Sequence, residues 1–235
     1  EKIIADAAAD GICCILTGSE ARENRLVDQF VRHHTAFGTA GIHPHVADEA
    51  TEADLEEIRR IVTTNPKVVA VGEVGLDYHW PEPARDVQQA VFIDMVKLAV
   101  ELDVPIIIHD REAHGDTLDI LRQYGKGIRG VFHCYSGSLE MTDELLRMGF
   151  YFGFDGPLTY PNSKRAKRVA SHLPLDRMLI ETDCPYLTPQ AHRGQRNEPA
   201  YVHYVAEEIA ALRGIDAAEV AQVTTENAKR LFAIP

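Results

Sequence analysis

The sequence predicts an α/β fold: a (β/α)8 TIM barrel with its first strand missing from the given sequence. Short apolar runs alternate with amphipathic helical segments along all 235 residues, which predicts a parallel sheet with helical crossovers. Runs such as Val68–Val71 and Ile106–Ile108 are apolar on both faces, as in strands covered by helices. Barrels of this kind commonly have roughly 200–250 residues, so we predict a single domain over residues 1–235.

Seven strand-and-helix units follow an opening helix at residues 1–10. The predicted strands are 12–16, 36–42, 68–73, 106–109, 130–133, 150–154 and 177–182. The predicted helices are 20–33, 51–63, 85–103, 112–124, 138–147, 162–172, 198–213 and 216–232. Because the opening helix has no strand before it, we expect the eighth strand upstream of residue 1. A doubly wound open sheet is the rival, but no GxGxxG loop follows an early strand.

Composition limits the classes of function. The formal net charge of −12 argues against a protein that binds nucleic acid over a broad surface. It does not argue against an enzyme that takes one phosphodiester into a metal-lined pocket. The four cysteines lack CxxC spacing and follow apolar runs, so we expect reduced, mostly buried thiols in a cytoplasmic protein. Neither a secretory signal nor an apolar run of about 18 residues is present, so no membrane partner is expected.

Four side chains of metal-ligating type each follow a buried strand. Glu73, His109, His133 and Asp183 occupy these positions. In a barrel the carboxyl ends of the strands meet at one mouth, where active sites lie. Mixed imidazole and carboxylate ligands suit Zn²⁺, Mn²⁺ or Mg²⁺. Glu73 is suited to bridge two such ions, and Asp183 to ligate a metal and accept a proton from the attacking water, so these two are the predicted catalytic residues.

Six short motifs resemble one family in its own order along the chain. The chain is similar to the TatD family of metal-dependent deoxyribonucleases, within the amidohydrolase-like barrels. The matching segments are Gly41-Ile42-His43-Pro44-His45, Gly72-Glu73-Val74-Gly75-Leu76-Asp77, Ile108-His109-Asp110-Arg111, His133-Cys134-Tyr135-Ser136-Gly137, Glu181-Thr182-Asp183-Cys184-Pro185-Tyr186-Leu187 and Arg196-Asn197-Glu198-Pro199. Each motif is weak alone, whereas six in sequence are highly specific.

The resemblance implies a site and a substrate. It implies metal ligation by the four strand-end residues, with one or two divalent ions (Mg²⁺, Mn²⁺ or Zn²⁺), and places His43 at the substrate phosphate. It also implies a DNA substrate, often trimmed as single strands from the 3′ end. No obligate protein partner is evident from the sequence. Many members carry a His-x-His pair on the first strand. We expect this pair upstream of residue 1. The alternative is that the chain works without the pair. The number of bound ions depends on whether the pair is present.

Further residues are candidates for substrate contact. His45 could touch substrate or fix its loop through Pro44, and Arg111 could bind a phosphate or form a salt bridge at the rim. Arg196 and Glu198 precede a helix at the predicted mouth. A basic cluster at residues 164–168 could attract a nucleic-acid backbone or simply be a solvated helix face.

Two other functions stay open from the sequence. One is a metallohydrolase that acts on an ester or amide, such as D-aminoacyl-tRNA. Small-molecule enzymes of this type often bridge their metals with a modified lysine, but Lys67 precedes its strand and Glu73 occupies the strand end. The other is a non-catalytic binding protein that has lost its first-strand ligands.

Overall fold

The computed structural model describes residues 1–235 and confirms the predicted alternation of strands and helices. The strands are β1 (Cys14–Leu16), β2 (Ala36–Ala40), β3 (Val68–Asp77), β4 (Ile106–Arg111), β5 (Gly130–Phe132), β6 (Tyr151–Phe154) and β7 (Met178–Ile180). The helices are α1 (Lys2–Ala9), α2 (Ala21–His33), α3 (Glu52–Thr64), α4 (Arg85–Leu102), α5 (His114–Tyr124), α6 (Leu139–Met148), α7 (Lys164–His172), α8 (Val202–Arg213) and α9 (Ala217–Phe232). No helix has the length and apolar character needed to cross a membrane.

The chain divides into two compact units. The first unit comprises Cys13–Val131, and the second comprises Glu1–Ile12 together with Phe132–Pro235. In the first unit β1, β2, β3 and β4 are neighbours in that order, and each adjacent pair is parallel. In the second unit β6 and β7 form a parallel pair, with Phe152 opposite Met178. The prediction of parallel strands in chain order is therefore confirmed within each unit.

The core of the first unit forms between β3 and the helices that cover it. Every residue of β3 except Glu73 is buried, in keeping with a strand covered on both faces. Helix α4 contributes the buried side chains of Phe92 and Met95. Helix α3 begins at a capping box in which Thr51 and Asp54 satisfy each other's backbone amides. The predicted buried strand is thus the centre of this unit.

An aromatic cluster fills the core of the second unit. The rings of Phe132 and Phe150 meet edge to face at 5.2 Å, and those of Tyr135 and Phe152 at 4.8 Å. The buried Asn227 side chain on α9 donates hydrogen bonds to the carbonyls of Leu175 and Met178. These bonds attach α9 to the start of β7, the strand that leads to Asp183.

The cysteines are all free, but the prediction that they are mostly buried is wrong for two of them. Cys13 and Cys184 are exposed, whereas Cys14 and Cys134 are half-buried. Cys13 precedes β1 and Cys184 lies in the loop after β7, so neither is held inside a strand. The predicted strand at 12–16 begins two residues before the observed strand β1, which starts at Cys14.

Close contact between β3 and β4 aligns two of the predicted site residues. Gly75 lies opposite His109, with φ of +146°, a conformation that residues other than glycine rarely adopt. A Cβ atom at Gly75 would lie 1.9 Å from the backbone oxygen of His109. Glycine here therefore allows β4 to approach β3, which places His109 beside Glu73.

A buried asparagine fixes the loop that follows β2. Asn24 on α2 donates from its side chain to the carbonyl of Gly41 at 2.9 Å and accepts from the Gly41 amide at 3.0 Å. Two residues later, the amide of His43 donates to the carbonyl of Ser19 at 2.9 Å. The backbone that presents His43 is therefore held from two sides.

We expect Asn24→Ala to lower the free energy of unfolding by about 2–3 kcal/mol, because it leaves both buried polar groups of Gly41 without partners. Urea denaturation measures this change. Gln123→Ala, at an exposed position on α5, is the control. A loss for Asn24→Ala no larger than that of the control would contradict the role of this contact.

Candidate metal site

Three potential ligands come together in the first unit. His43, Glu73 and His109 each offer one ligand atom, and these atoms all lie within 4.8 Å of one another. Nδ1 of His109 lies 3.0 Å from Oε1 of Glu73, and Nε2 of His43 lies 3.6 Å from the same oxygen. All three side chains are largely shielded from solvent. The group therefore has the composition and spacing of a divalent metal site.

Each member of this group reaches it from a different element. Glu73 and His109 lie in the adjacent strands β3 and β4, and His43 lies in the loop after β2, before a 3₁₀ turn over Pro44–Glu49. The amide of His45 donates to Nδ1 of His43 at 3.2 Å. That bond fixes the His43 ring and turns Nε2 toward Glu73.

A buried carboxylate supports the group from behind. Asp77, fully buried at the end of β3, accepts hydrogen bonds from Nε2 of His109 and Nε2 of His45, both at 3.0 Å. The Asp77 backbone is itself held, because the Gln88 side chain accepts from its amide and donates to its carbonyl. Carboxylates placed in this way orient the imidazoles that bind metals.

The local electrostatics keep Asp77 charged and His43 neutral. Burial alone would raise the pKa of Asp77, but the hydrogen bonds and charge of His109 outweigh it and hold that pKa well below its usual range. Burial, with the neighbouring His109, lowers the pKa of His43 to about 4. His43 is therefore neutral at pH 7, the protonation state in which imidazole binds a metal.

The donor set fits the divalent ion that the sequence predicts. It consists of imidazole nitrogen and carboxylate oxygen, without thiolate, as expected for Zn²⁺ or Mn²⁺. Donor atoms within 4.8 Å of one another need only small side-chain rotations to reach ligand distances of roughly 2.0–2.2 Å.

The second unit holds the other two predicted ligands. Nδ1 of His133 donates to Oε1 of Glu181 at 2.9 Å, and the same oxygen accepts from the amide of Cys134 at 2.6 Å. Glu181 thus fixes the tautomer and orientation of His133. Asp183 follows β7 with φ of +53°, in the left-handed region that aspartate tolerates better than most residues.

Asp155 is a strand-end residue that the sequence reasoning missed. It directly follows β6 and is 3 % exposed, and its Oδ2 atom has no hydrogen-bond partner. Burial and the charge of Glu181 raise its pKa to about 8. The apolar run 150–154 followed by a carboxylate is the same signal that identified Glu73. Asp77 and Glu181 lay inside quoted motifs but gave no signal of their supporting role.

The predicted substrate contacts lie in different places. His45 is half-exposed and bonded to Asp77, and Arg111 is exposed at the end of β4. Arg196 is exposed in the loop before α8, and the half-buried Glu198 ends that loop, its amide bonded to Asn197. His43, predicted at the substrate phosphate, lies among the potential metal ligands. These roles stay predictions.

Comparison with known proteins identifies the family of this chain. The family model described as "TatD related DNase" matches residues 1–233. The chain is 44% identical over 237 residues to the uncharacterized metal-dependent hydrolase YabD of Bacillus subtilis, covering 100% of this chain and 92% of that protein. It is 34% identical over 244 residues to the 3′-5′ ssDNA/RNA exonuclease TatD of Escherichia fergusonii, covering 100% of this chain and 93% of that protein.

A solved structure of a TatD homologue resembles this chain over its whole length. The crystal structure of YjjV, a TatD homologue from Escherichia coli K12, superimposes with a TM-score of 0.92 at 30% identity, covering 100% of this chain and 92% of that one. This likeness over the whole chain confirms the predicted α/β fold class. Together with the family match, it shows that the chain belongs to the TatD family of metal-dependent hydrolases.

Proposed function

We propose that this hydrolase cleaves phosphodiester bonds in DNA as a 3′–5′ exodeoxyribonuclease on single-stranded ends. The exonuclease TatD of Escherichia fergusonii, 34% identical over the whole chain, supports this choice of substrate. The observation on which the proposal depends is the group His43, Glu73 and His109, because a nitrogen-and-oxygen site for divalent ions suits phosphodiester hydrolysis.

The residues of the site have separate roles in such a reaction. His43, Glu73 and His109 would hold the ion, while Asp77 keeps the ring of His109 in place. When bound, a divalent ion lowers the pKa of water and stabilises charge on the phosphate. In an acidic chain with a net charge of −12, this positive charge is what allows an anionic substrate to approach.

His133 and Asp183 retain their predicted roles in this proposal. With Nδ1–H donated to Glu181, the lone pair of neutral His133 is on Nε2, the nitrogen we assign to metal ligation. We assign to Asp183 the acceptance of a proton from the attacking water, besides ligation. His45, Arg111, Arg196 and Glu198 are the proposed contacts to the nucleic acid.

The first prediction from this proposal concerns activity and metal removal. With Mg²⁺ or Mn²⁺, the chain should shorten a 5′-labelled single-stranded oligonucleotide from its 3′ end, and EDTA should abolish the ladder. Asp183→Asn should fold normally and lose about two or more orders of magnitude in turnover, because a general base contributes roughly 10²–10⁴-fold. Near-normal turnover in that variant would contradict the assigned role.

The same assay distinguishes the alternatives. An RNA strand of equal sequence tests the choice of nucleic acid, and a D-aminoacyl-tRNA tests the ester alternative. Release of the amino acid without cleavage of either strand would replace the nuclease proposal with the esterase. A folded, metal-loaded chain that cleaves none of the three would contradict both.

A second prediction separates ligation from substrate contact at His43. His43→Ala should weaken Mn²⁺ binding by about tenfold or more, measured by calorimetric titration, because it removes one donor of the group. His33→Ala, on the exposed face of α2, should leave the affinity unchanged. Unchanged Mn²⁺ affinity with a raised KM would assign His43 to the substrate phosphate instead.

A third prediction tests the supporting carboxylate. Asp77→Asn keeps the shape of the side chain but removes the charge that both imidazoles contact. Mn²⁺ affinity should fall roughly 10–100-fold, the usual effect of losing such a partner. Asp119→Asn, an exposed aspartate on α5, is the matched control, and equal affinities in the two variants would contradict the supporting role.

A further inference from the structure

A cavity of about 300 Å³ lies within the second unit, between the end of β6 and the start of α7. Phe154 and Leu158 form part of its apolar wall. Asp155, Lys164 and Arg165 supply charged groups. This volume is at the lower end of the range for small-molecule pockets, roughly 300–1,000 Å³. The cavity, which we call the β6–α7 cavity, combines an apolar wall with groups of opposite charge.

Asp155 is the polar group of this cavity that most needs a partner. It is 3 % exposed, and its Oδ2 atom makes no hydrogen bond. An unsatisfied buried polar atom destabilises the folded state, so a ligand that pairs with it recovers part of this free energy. A hydroxyl group both donates and accepts, and it therefore pairs with Asp155 whether the side chain is ionised or protonated.

The first turn of α7 offers hydrogen-bond donors and a positive potential, in contrast to the carboxyl group of Asp155. The first hydrogen bond within this nine-residue helix is donated by the amide of Lys167 to Ser163, so the amides of Arg165 and Ala166 precede it. The Ser163 hydroxyl donates to the carbonyl of Pro157 and does not cap the helix. No acidic residue lies in the first turn, and such a helix start attracts anions.

Two cations strengthen this helix start. Lys164 and Arg165 are exposed at the rim of the cavity, and neither forms an ion pair. Lys167, one turn further, differs because it pairs with Glu208 at 2.7 Å. The cations that remain unpaired in the basic cluster thus include the two that border the cavity, which favours a binding role over a merely solvated face.

We propose that the β6–α7 cavity binds the nucleoside 5′-monophosphate that cleavage releases, with its phosphate at Lys164, Arg165 and the α7 N-terminus and its 3′-hydroxyl at Asp155. This inference rests on the proposed nuclease function and names a site for its mononucleotide product. The negative charge available at Asp155 disfavours a phosphate on the inner side, whereas the cations favour it at the rim. The cavity therefore sets the direction in which the nucleotide enters, and the apolar wall faces its sugar and base.

The experiment is equilibrium binding to the full chain in EDTA, so that no metal site contributes. The probes are 2′-deoxyadenosine 5′-monophosphate, adenosine 5′-monophosphate, adenosine and inorganic phosphate, titrated by calorimetry or by NMR. Lys164→Ala/Arg165→Ala should raise the Kd of both nucleotides about tenfold or more, because two charge-assisted contacts are lost. Arg147→Ala/Lys229→Ala, which removes the same two charges from α6 and α9, should leave the Kd unchanged.

Asp155→Leu tests the inner side of the cavity. It should bring the Kd of the nucleotides close to that of inorganic phosphate, because the hydroxyl loses its partner. Equal Kd values for nucleotides and inorganic phosphate in the unchanged chain would overturn the proposal in favour of a simple anion site. Equal effects of the two charge-removing pairs would overturn it in favour of non-specific attraction, and neither pair depends on whether Asp155→Leu folds.

Binding and turnover are measured separately. A chain that binds the nucleotides as described but cleaves no strand would contradict only the nuclease proposal. A chain that degrades DNA but shows no loss of nucleotide binding in Lys164→Ala/Arg165→Ala would contradict only the assignment of the cavity.

Discussion

The buried carboxylate of Asp77 is the constraint on which the candidate metal site depends. Burying a charge away from water costs free energy unless hydrogen bonds compensate for it. Here two imidazoles and a backbone amide donate those hydrogen bonds to Asp77. The carboxylate and the two imidazoles stabilise each other. Asp77 stays ionised because His109 and His45 contact it, and the two rings stay in place because Asp77 is rigidly held by Gln88. The position of His109 beside Glu73 follows from this arrangement.

The second unit repeats this construction with different residues. Glu181 accepts from the ring of His133 and from the amide of Cys134, which fixes an imidazole directly after a short strand. In both units a carboxylate at the end of another strand orients a histidine, so the ring loses little further freedom when it binds a ligand. Such preorganisation is what a hydrolytic metal site requires.

Asp155 shows what happens to a carboxylate without such compensation. One of its oxygens has no hydrogen-bond partner, and its pKa is raised to about 8, whereas that of Asp77 is depressed. The two aspartates differ in their neighbours rather than in their place at a strand end. A buried acid that is not satisfied by the protein is suited to a ligand that satisfies it.

The sequence alone determined the order and type of the secondary structure, because apolar runs and helical periodicity are local signals. It also identified Glu73, His109, His133 and Asp183 as strand-end residues, because the polar residue that ends an apolar run is visible without a structure. Only the tertiary structure decided that His43 joins Glu73 and His109, that Asp77 and Glu181 support histidines, and that Cys13 and Cys184 are exposed. These facts depend on contacts such as that between His109 and Asp77, which are 32 residues apart, and on solvent exposure, and neither leaves a periodic trace in the chain.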